Sequence, residues 1–337
     1  MANECSHLFK DNSSPYRPLL SQQSEVVKEL YIDKEAYPQK NLQEQMPKSI
    51  IRLDKDYERD IQVKRKILQQ DIEFVYAKQE QRNFKLQELE AAMAAAKSLA
   101  QENPKRFRLR GYTLKDLATG ESINLQQRGK SPLKEIARFV TEDMILVSPN
   151  RQGEYILRSG VLAFPSNWYL RDFLGASMKE IHQGLSAKGE LGSIIDRILQ
   201  RLPEGESIRR NNWFLTENPL QAQSAYPSYG KAYDSGNIHK NNVMNKMFFR
   251  SEYQTLSKLP SGAVLFTIKV YTFSLNELVK IDGMAEKILR GFVIKQNALK
   301  ETLPRYYHYL IVQLAKNTSY EASTYKKVLD AIKKDLN

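Results

Sequence analysis

His182 is the first residue of this chain whose type and setting could do chemistry. Ser177 and Glu180 stand at capping-box spacing and Gly184 supplies a stop, so a short helix ends at His182 with its imidazole free to project. Neutral imidazole is the usual proximal ligand of heme iron and a common ligand of other metals. The bland alternative is a histidine that bonds a local carbonyl and binds nothing. For a metal held by side chains alone, a solitary histidine favours that alternative, because such sites show clusters of ligands. Heme relaxes the requirement, since the porphyrin supplies the other ligands and one protein ligand suffices.

A second signal lies on the strand Phe248 to Leu256. Alternation puts Arg250, Glu252, Gln254 and Leu256 on one face, and Phe249, Ser251, Tyr253 and Thr255 on the other. The polar trio is either solvated, which the pattern by itself favours, or lines a pocket. Turned inward it needs partners, and an exogenous ligand is a natural one. The neighbouring strand offers Val264, Phe266, Ile268 and Val270 as an apolar face. Between Val161 and Phe273 lie both tryptophans and two of the four histidines, His182 and His239, with the rare strings Phe164-Pro165-Ser166-Asn167-Trp168 and Arg210-Asn211-Asn212-Trp213. Other chemistries find no motif: there is no P-loop, no glycine-rich dinucleotide fingerprint and no His-Glu-x-x-His. Cys5 sits in a polar tail, His7 and His239 lie in polar segments, and His308 stands among tyrosines as helix packing.

Elements that would position these residues can be read along the chain. Residues 1–50 are polar and proline-punctuated, hence irregular. A helical part spans 51–140, with Asp54 as N-cap, a charged helix toward Ala100, and a helix started by Ser131-Pro132. A core of about 141–275 holds the hairpin Met144–Val147 and Tyr155–Phe164, a helix with Ile194, Ile195, Ile198, Leu199 and Leu202 on one face, and the strands Phe248–Leu256 and Ala263–Phe273. Gln221 to Asn245 reads as a long loop or lid. Residues 276–337 read as C-terminal helices. The class is α+β.

Composition limits the rest. The 41% hydrophobic content is enough for a sizeable core in 337 residues. One cysteine fits a reducing, cytoplasmic compartment. Neither a signal-peptide pattern at the N-terminus nor a run of about eighteen apolar residues is present, so no membrane partner is expected. The net charge of +12 is dispersed among acids. Its densest patch, Lys105 to Arg110, is read as a solvated edge-strand face rather than a specific nucleic-acid site.

Taken in order, Phe-Pro-Ser-x-Trp, Glu-Ile-His, Arg-x-Asn-Trp and Glu-x-Gln-Thr-Leu-x-x-Leu-Pro-x-x-Ala-x-x-Phe-Thr-Ile resemble the heme-dependent oxidative N-demethylase family, alpha-subunit type, over roughly Ile51 to Phe273. Leu53-Asp54-x-x-Tyr57 and Glu142-Asp143 add to the match. The resemblance implies a PAS-like curved antiparallel sheet flanked by helices. It also implies heme b, oxygen, a small alkylamine substrate that loses a methyl group as formaldehyde, and electrons from a separate flavin and iron–sulfur reductase. A homo-oligomer is compatible with it. By position, His182 matches the iron ligand, Arg210, Asn212 and Trp213 match cofactor-binding residues, and Arg250, Glu252 and Gln254 match the catalytic strand. One departure stands out: Tyr253 occupies the place of a common arginine, whose charge tyrosine does not replace. The C-terminal helices resemble the family little. A non-catalytic heme-binding or heme-free PAS-type sensor or assembly protein is the other reading, because fold alone does not separate the two.

Overall fold

A computed structural model describes residues 49–79, 84–183, 191–223, 236–299 and 306–316. The readings for residues 1–48, for Gly184, for residues 224–235 of the Gln221–Asn245 lid and for residues past Lys316 lie outside the described residues, and the described end of that lid runs into a short helix from Val243. Helix α1 (Tyr57–Gln70) and the short α2 (Ile72–Val75) lead into strand β1 (Tyr76–Lys78) and the long α3 (Phe84–Glu102). A small meander follows, β2 (Phe107–Arg110), β3 (Thr113–Asp116) and β4 (Ser122–Asn124), then α4 (Pro132–Ile136). Ser131 caps α4 as its sequence demands, accepting the Lys134 N–H with Pro132 at the first helical position. Strands β5 (Asp143–Pro149) and β6 (Tyr155–Val161) form the anticipated hairpin.

Helices α5 (Met178–Ile181) and α6 (Leu191–Arg201) precede β7 (Ser207–Thr216), α7 (Val243–Lys246), β8 (Phe248–Lys258) and β9 (Val264–Ser274). The helices α8 (Leu275–Leu278), α9 (Met284–Leu299) and α10 (Tyr306–Lys316) close the described chain. Six strands make one open antiparallel sheet in the order β1-β6-β5-β9-β8-β7, and β2-β3-β4 make a second. The α+β class holds.

Register divides the large sheet into two working faces. Gln254 lies opposite Arg210 and Ile268, Glu252 opposite Asn212 and Val270, and Arg250 opposite Phe214 and Thr272. Directly opposed residues share a face, so these nine form the front. The back carries Phe249, Ser251 and Tyr253 with Trp213, Leu215, Tyr271 and Phe273. Apolar burial on the back is completed by Leu275, Leu278, Ile288, Leu310 and Ile311 from the C-terminal helices. Farther along, α1 and the segment before it dock on the back by polar contacts: Tyr271 donates to Asp54, ahead of the helix, at 2.7 Å, and Lys269 Nζ lies 3.3 Å from Asp60 on α1.

Three sequence readings need correction here. The 51–140 part is not wholly helical, because α1 stops at Gln70, β1 joins β6 as an outer strand, and β2–β4 form their own sheet. Asp54 is not the N-cap, which is Asp56; Asp54 instead accepts the Asp56 N–H and the Tyr271 hydroxyl. Strand β7 went unread, since its Arg and Asn residues have low strand propensity and its polar face conceals the alternation. The basic patch falls on β2, an outer strand with Arg108 and Arg110 exposed, while Arg106 pairs with Glu58 and Asp116.

Candidate functional site

Long-range pairing explains why the polar trio of β8 is stable inside the protein. Arg250 is 0% exposed, Glu252 7% and Gln254 4%, so the solvated reading is wrong. Each finds partners from other elements. Arg250 donates to the carbonyls of Phe164 (2.6 Å) and Gln221, and its Nε lies 3.4 Å from Glu252 Oε1. That same oxygen accepts the Ser166 hydroxyl at 3.0 Å. Glu252 Oε2 accepts from Asn212 Nδ2 at 3.1 Å and Gln254 Nε2 at 2.9 Å, and Arg210 donates to Gln254 Oε1. Burial by itself raises the Glu252 carboxyl, but the Arg250 charge and the bonds from Asn212 and Ser166 bring it below the ordinary range. The site therefore holds an ionised carboxylate.

His182 closes α5, whose capping box is complete: Ser177 Oγ accepts the Glu180 N–H, and Glu180 accepts the Ser177 N–H at 2.7 Å. The imidazole Nδ1 lies 2.7 Å from the Met178 carbonyl, which can only accept, so Nδ1 carries the proton. Burial lowers the pKa, the Met178 bond opposes this, and the Arg210 charge lowers it further. The neutral ring thus keeps its Nε2 lone pair. Backbone-bonded Nδ1–H with a bare Nε2 is how proteins orient a metal-ligating histidine. Among the described residues no group of three or more His, Cys, Asp or Glu could hold a metal ion.

The residues singled out from sequence are therefore only partly brought together. Arg210, Asn212, Arg250, Glu252 and Gln254 form one hydrogen-bonded front cluster. Trp213 lies on the back, stacked on Phe249 with ring centroids 5.4 Å apart. Tyr253 is also on the back, with the Arg52 guanidinium 4.6 Å from its ring centre, so the departure from the family pattern falls away from Glu252. His239 is exposed and takes part in a local turn with Asn241 and Asn242. Sequence reasoning did not name Ser166, Asp143 or Gln221 as site residues. The first two stood in quoted motifs, but their partners are set by strand order. Gln221 Oε1, Gln223 Oε1 and Thr272 Oγ1 are buried with no hydrogen-bond partner among the described residues, and all three residues adjoin Arg250 or the turn beside it. Unpaired interior acceptors suit a ligand that brings N–H or O–H donors.

The family model for haem-dependent oxidative N-demethylase, alpha subunit-like, matches residues 41–306, well over half of the chain. The chain belongs to this family. The match runs past Phe273 through α8 and α9, so these helices are part of the family's domain, contrary to the shorter resemblance read from sequence. Membership carries heme dependence and oxidative N-demethylase-like chemistry as the family's character. No helix among the described residues is long and apolar enough to cross a membrane.

Proposed function

We propose that this family member binds heme b through His182 Nε2 and supports the oxidation of a small methylated amine held at the front cluster. The observation that carries the reading is His182 itself: a half-buried imidazole whose Nδ1–H is fixed on the Met178 carbonyl, leaving Nε2 to bind, with its pKa lowered by burial and by the Arg210 charge. When bound, heme supplies the oxidation, using oxygen and electrons from a separate flavin and iron–sulfur reductase to release formaldehyde. The chain's own residues do the positioning. Arg210 presents a guanidinium suited to a heme propionate. Glu252 attracts the substrate ammonium, and one neutral donor, Ser166, Asn212 or Gln254, gives way to it. Arg250 stays, because it is fully buried and anchored to two carbonyls.

The same reading takes the six-stranded sheet as PAS-like, the protein as cytoplasmic and oligomeric, and its partners as amine, oxygen and reductase rather than nucleic acid. The non-catalytic alternative draws on one observation: Glu252 already has four donors in this structure. Spectroscopy decides between them. Heme added to the purified protein should give a Soret band that His182→Ala removes or strongly shifts. The loaded protein with a surrogate reductase should then release formaldehyde from at least one of a panel of methylated amines. An unchanged spectrum in His182→Ala would overturn the ligand assignment. A heme-loaded protein that releases no formaldehyde, with a spectrum indifferent to every amine, would establish the sensor or assembly reading.

A further inference from the structure

Asp143 opens β5 and is fully buried on the front face, in register with Ile268 and, beyond it, Gln254. Its two oxygens accept successive backbone N–H groups, Ala163 at 2.7 Å and Phe164 at 3.0 Å. These amides begin the turn Phe164-Pro165-Ser166-Asn167-Trp168, where Asn167 takes the left-handed conformation with φ 60°. The turn then reaches the cluster twice: the Phe164 carbonyl accepts from Arg250 and the Ser166 hydroxyl donates to Glu252. The Gln223 N–H also bonds the Pro165 carbonyl at 2.7 Å, and the Asp143 carboxylate holds the two amides at the start of the turn. A carboxylate that accepts two N–H bonds in the interior is a rigid anchor.

We propose that Asp143 is a positioning residue of this site: it holds the Ala163–Ser166 turn against β8, so that the turn fixes the Arg250–Glu252 pair. Its effect on substrate rests on the amine-binding reading above; its hold on the turn does not. The charges that act on Asp143 are Lys64 from α1, which bonds the Glu142 carbonyl next to it, and Arg250 from β8. Burial raises the Asp143 carboxyl to about 6, against the opposing effects of Lys64, the two amides and Arg250. A protonated carboxyl carries an O–H where it had accepted an N–H, so acid loosens the turn.

The test compares the full-length protein with Asp143→Asn, which retains only one acceptor, by hydrogen–deuterium exchange read over peptides. Faster exchange confined to the segment around 162–168 is expected, and unchanged exchange there would overturn the proposal. On heme-loaded protein, the Kd of dimethylamine, read from the spectral shift, should rise about tenfold or more in Asp143→Asn. In the wild type that Kd should also rise as pH falls through about 6, a window in which the ammonium itself does not titrate. The variant should lose this dependence. Ser166→Ala should give part of the same loss, and the double variant less than the sum, because both act through one turn. Additive effects, or an unaltered Kd and pH profile in Asp143→Asn, would remove the positioning role. If Asp143→Asn does not fold, the wild-type pH profile decides: a flat Kd between pH 7 and 5 overturns it. If no amine shifts even the wild-type spectrum, the amine reading fails and the exchange result alone judges the turn.

Discussion

Glu252 is a carboxylate whose acceptor directions are already filled, two donors on each oxygen. A carboxylate offers about four lone-pair sites, so the group is both ionised and saturated. Removing its cation is therefore costly. Arg250→Met strands a buried negative charge and two carbonyls, and should lower the unfolding free energy by about 3–5 kcal/mol. Adding Glu252→Gln to that variant should restore part of the loss, because the stranded charge disappears. Urea unfolding measures both, and an Arg250→Met protein within about 1 kcal/mol of wild type would contradict the network. The lowered Glu252 pKa sets the sign with pH: its contribution is present above the unfolded value and fades as pH falls through the folded one. Alternation made the shared face of Arg250, Glu252 and Gln254 legible. It gave no sign of their burial, because a solvated face and a fully paired interior face have the same period, and the partners come from Phe164, Ser166 and Asn212 far away in sequence.

At the scale of elements, local signals were legible and long-range pairing was not. Ser131-Pro132, the Ser177–Glu180 box and the β5–β6 hairpin follow from residues within a few positions of one another. Strand β1, by contrast, is three residues that exist as a strand because β6 accepts them, and β7 is defined by its register with β8. The packing of α6 on α5 is likewise invisible in sequence, yet it bears on the site. Gly192 on α6 lies so close to α5 that an added Cβ would stand 2.6 Å from Lys179 N and 2.8 Å from the Met178 carbonyl oxygen. Both neighbours are backbone, so the helices must separate, at a cost of about 1–3 kcal/mol. The Met178 carbonyl is also the acceptor that orients His182. Gly192→Ala should thus weaken heme binding about tenfold, whereas Ser193→Ala on the exposed side should not. Heme titration followed at the Soret band checks this, and equal affinities for the two variants would show that the helix contact does not govern His182.

At the scale of the whole molecule, the front site and the back of the sheet are joined through interior charges that tie the N-terminal helix to the strands. Lys269 on β9 is buried, which lowers its pKa, but Asp60, Asp54 and Glu142 outweigh burial and raise it. Lys64 on α1 donates to the Glu142 carbonyl, and there burial wins over Asp143 and Glu142, bringing it down to about 8. The two lysines thus carry opposite linkage. For Lys269, stability is present at low pH and is lost as pH rises through its folded value. For Lys64, the unfolded chain holds its proton up to the ordinary 10.5 while the folded protein releases it near 8, so its contribution grows with pH between those limits. A shift of that size corresponds to about 3 kcal/mol. Lys64→Met isolates the effect, because Lys269 and the buried tyrosines titrate in both proteins. Guanidinium unfolding of wild type and variant from pH 7.5 to 10.5 should show wild type gaining on Lys64→Met by up to about that amount. A difference that stays flat across the window would mean that Lys64 keeps its charge inside the fold, held by Asp143 more strongly than its burial opposes it.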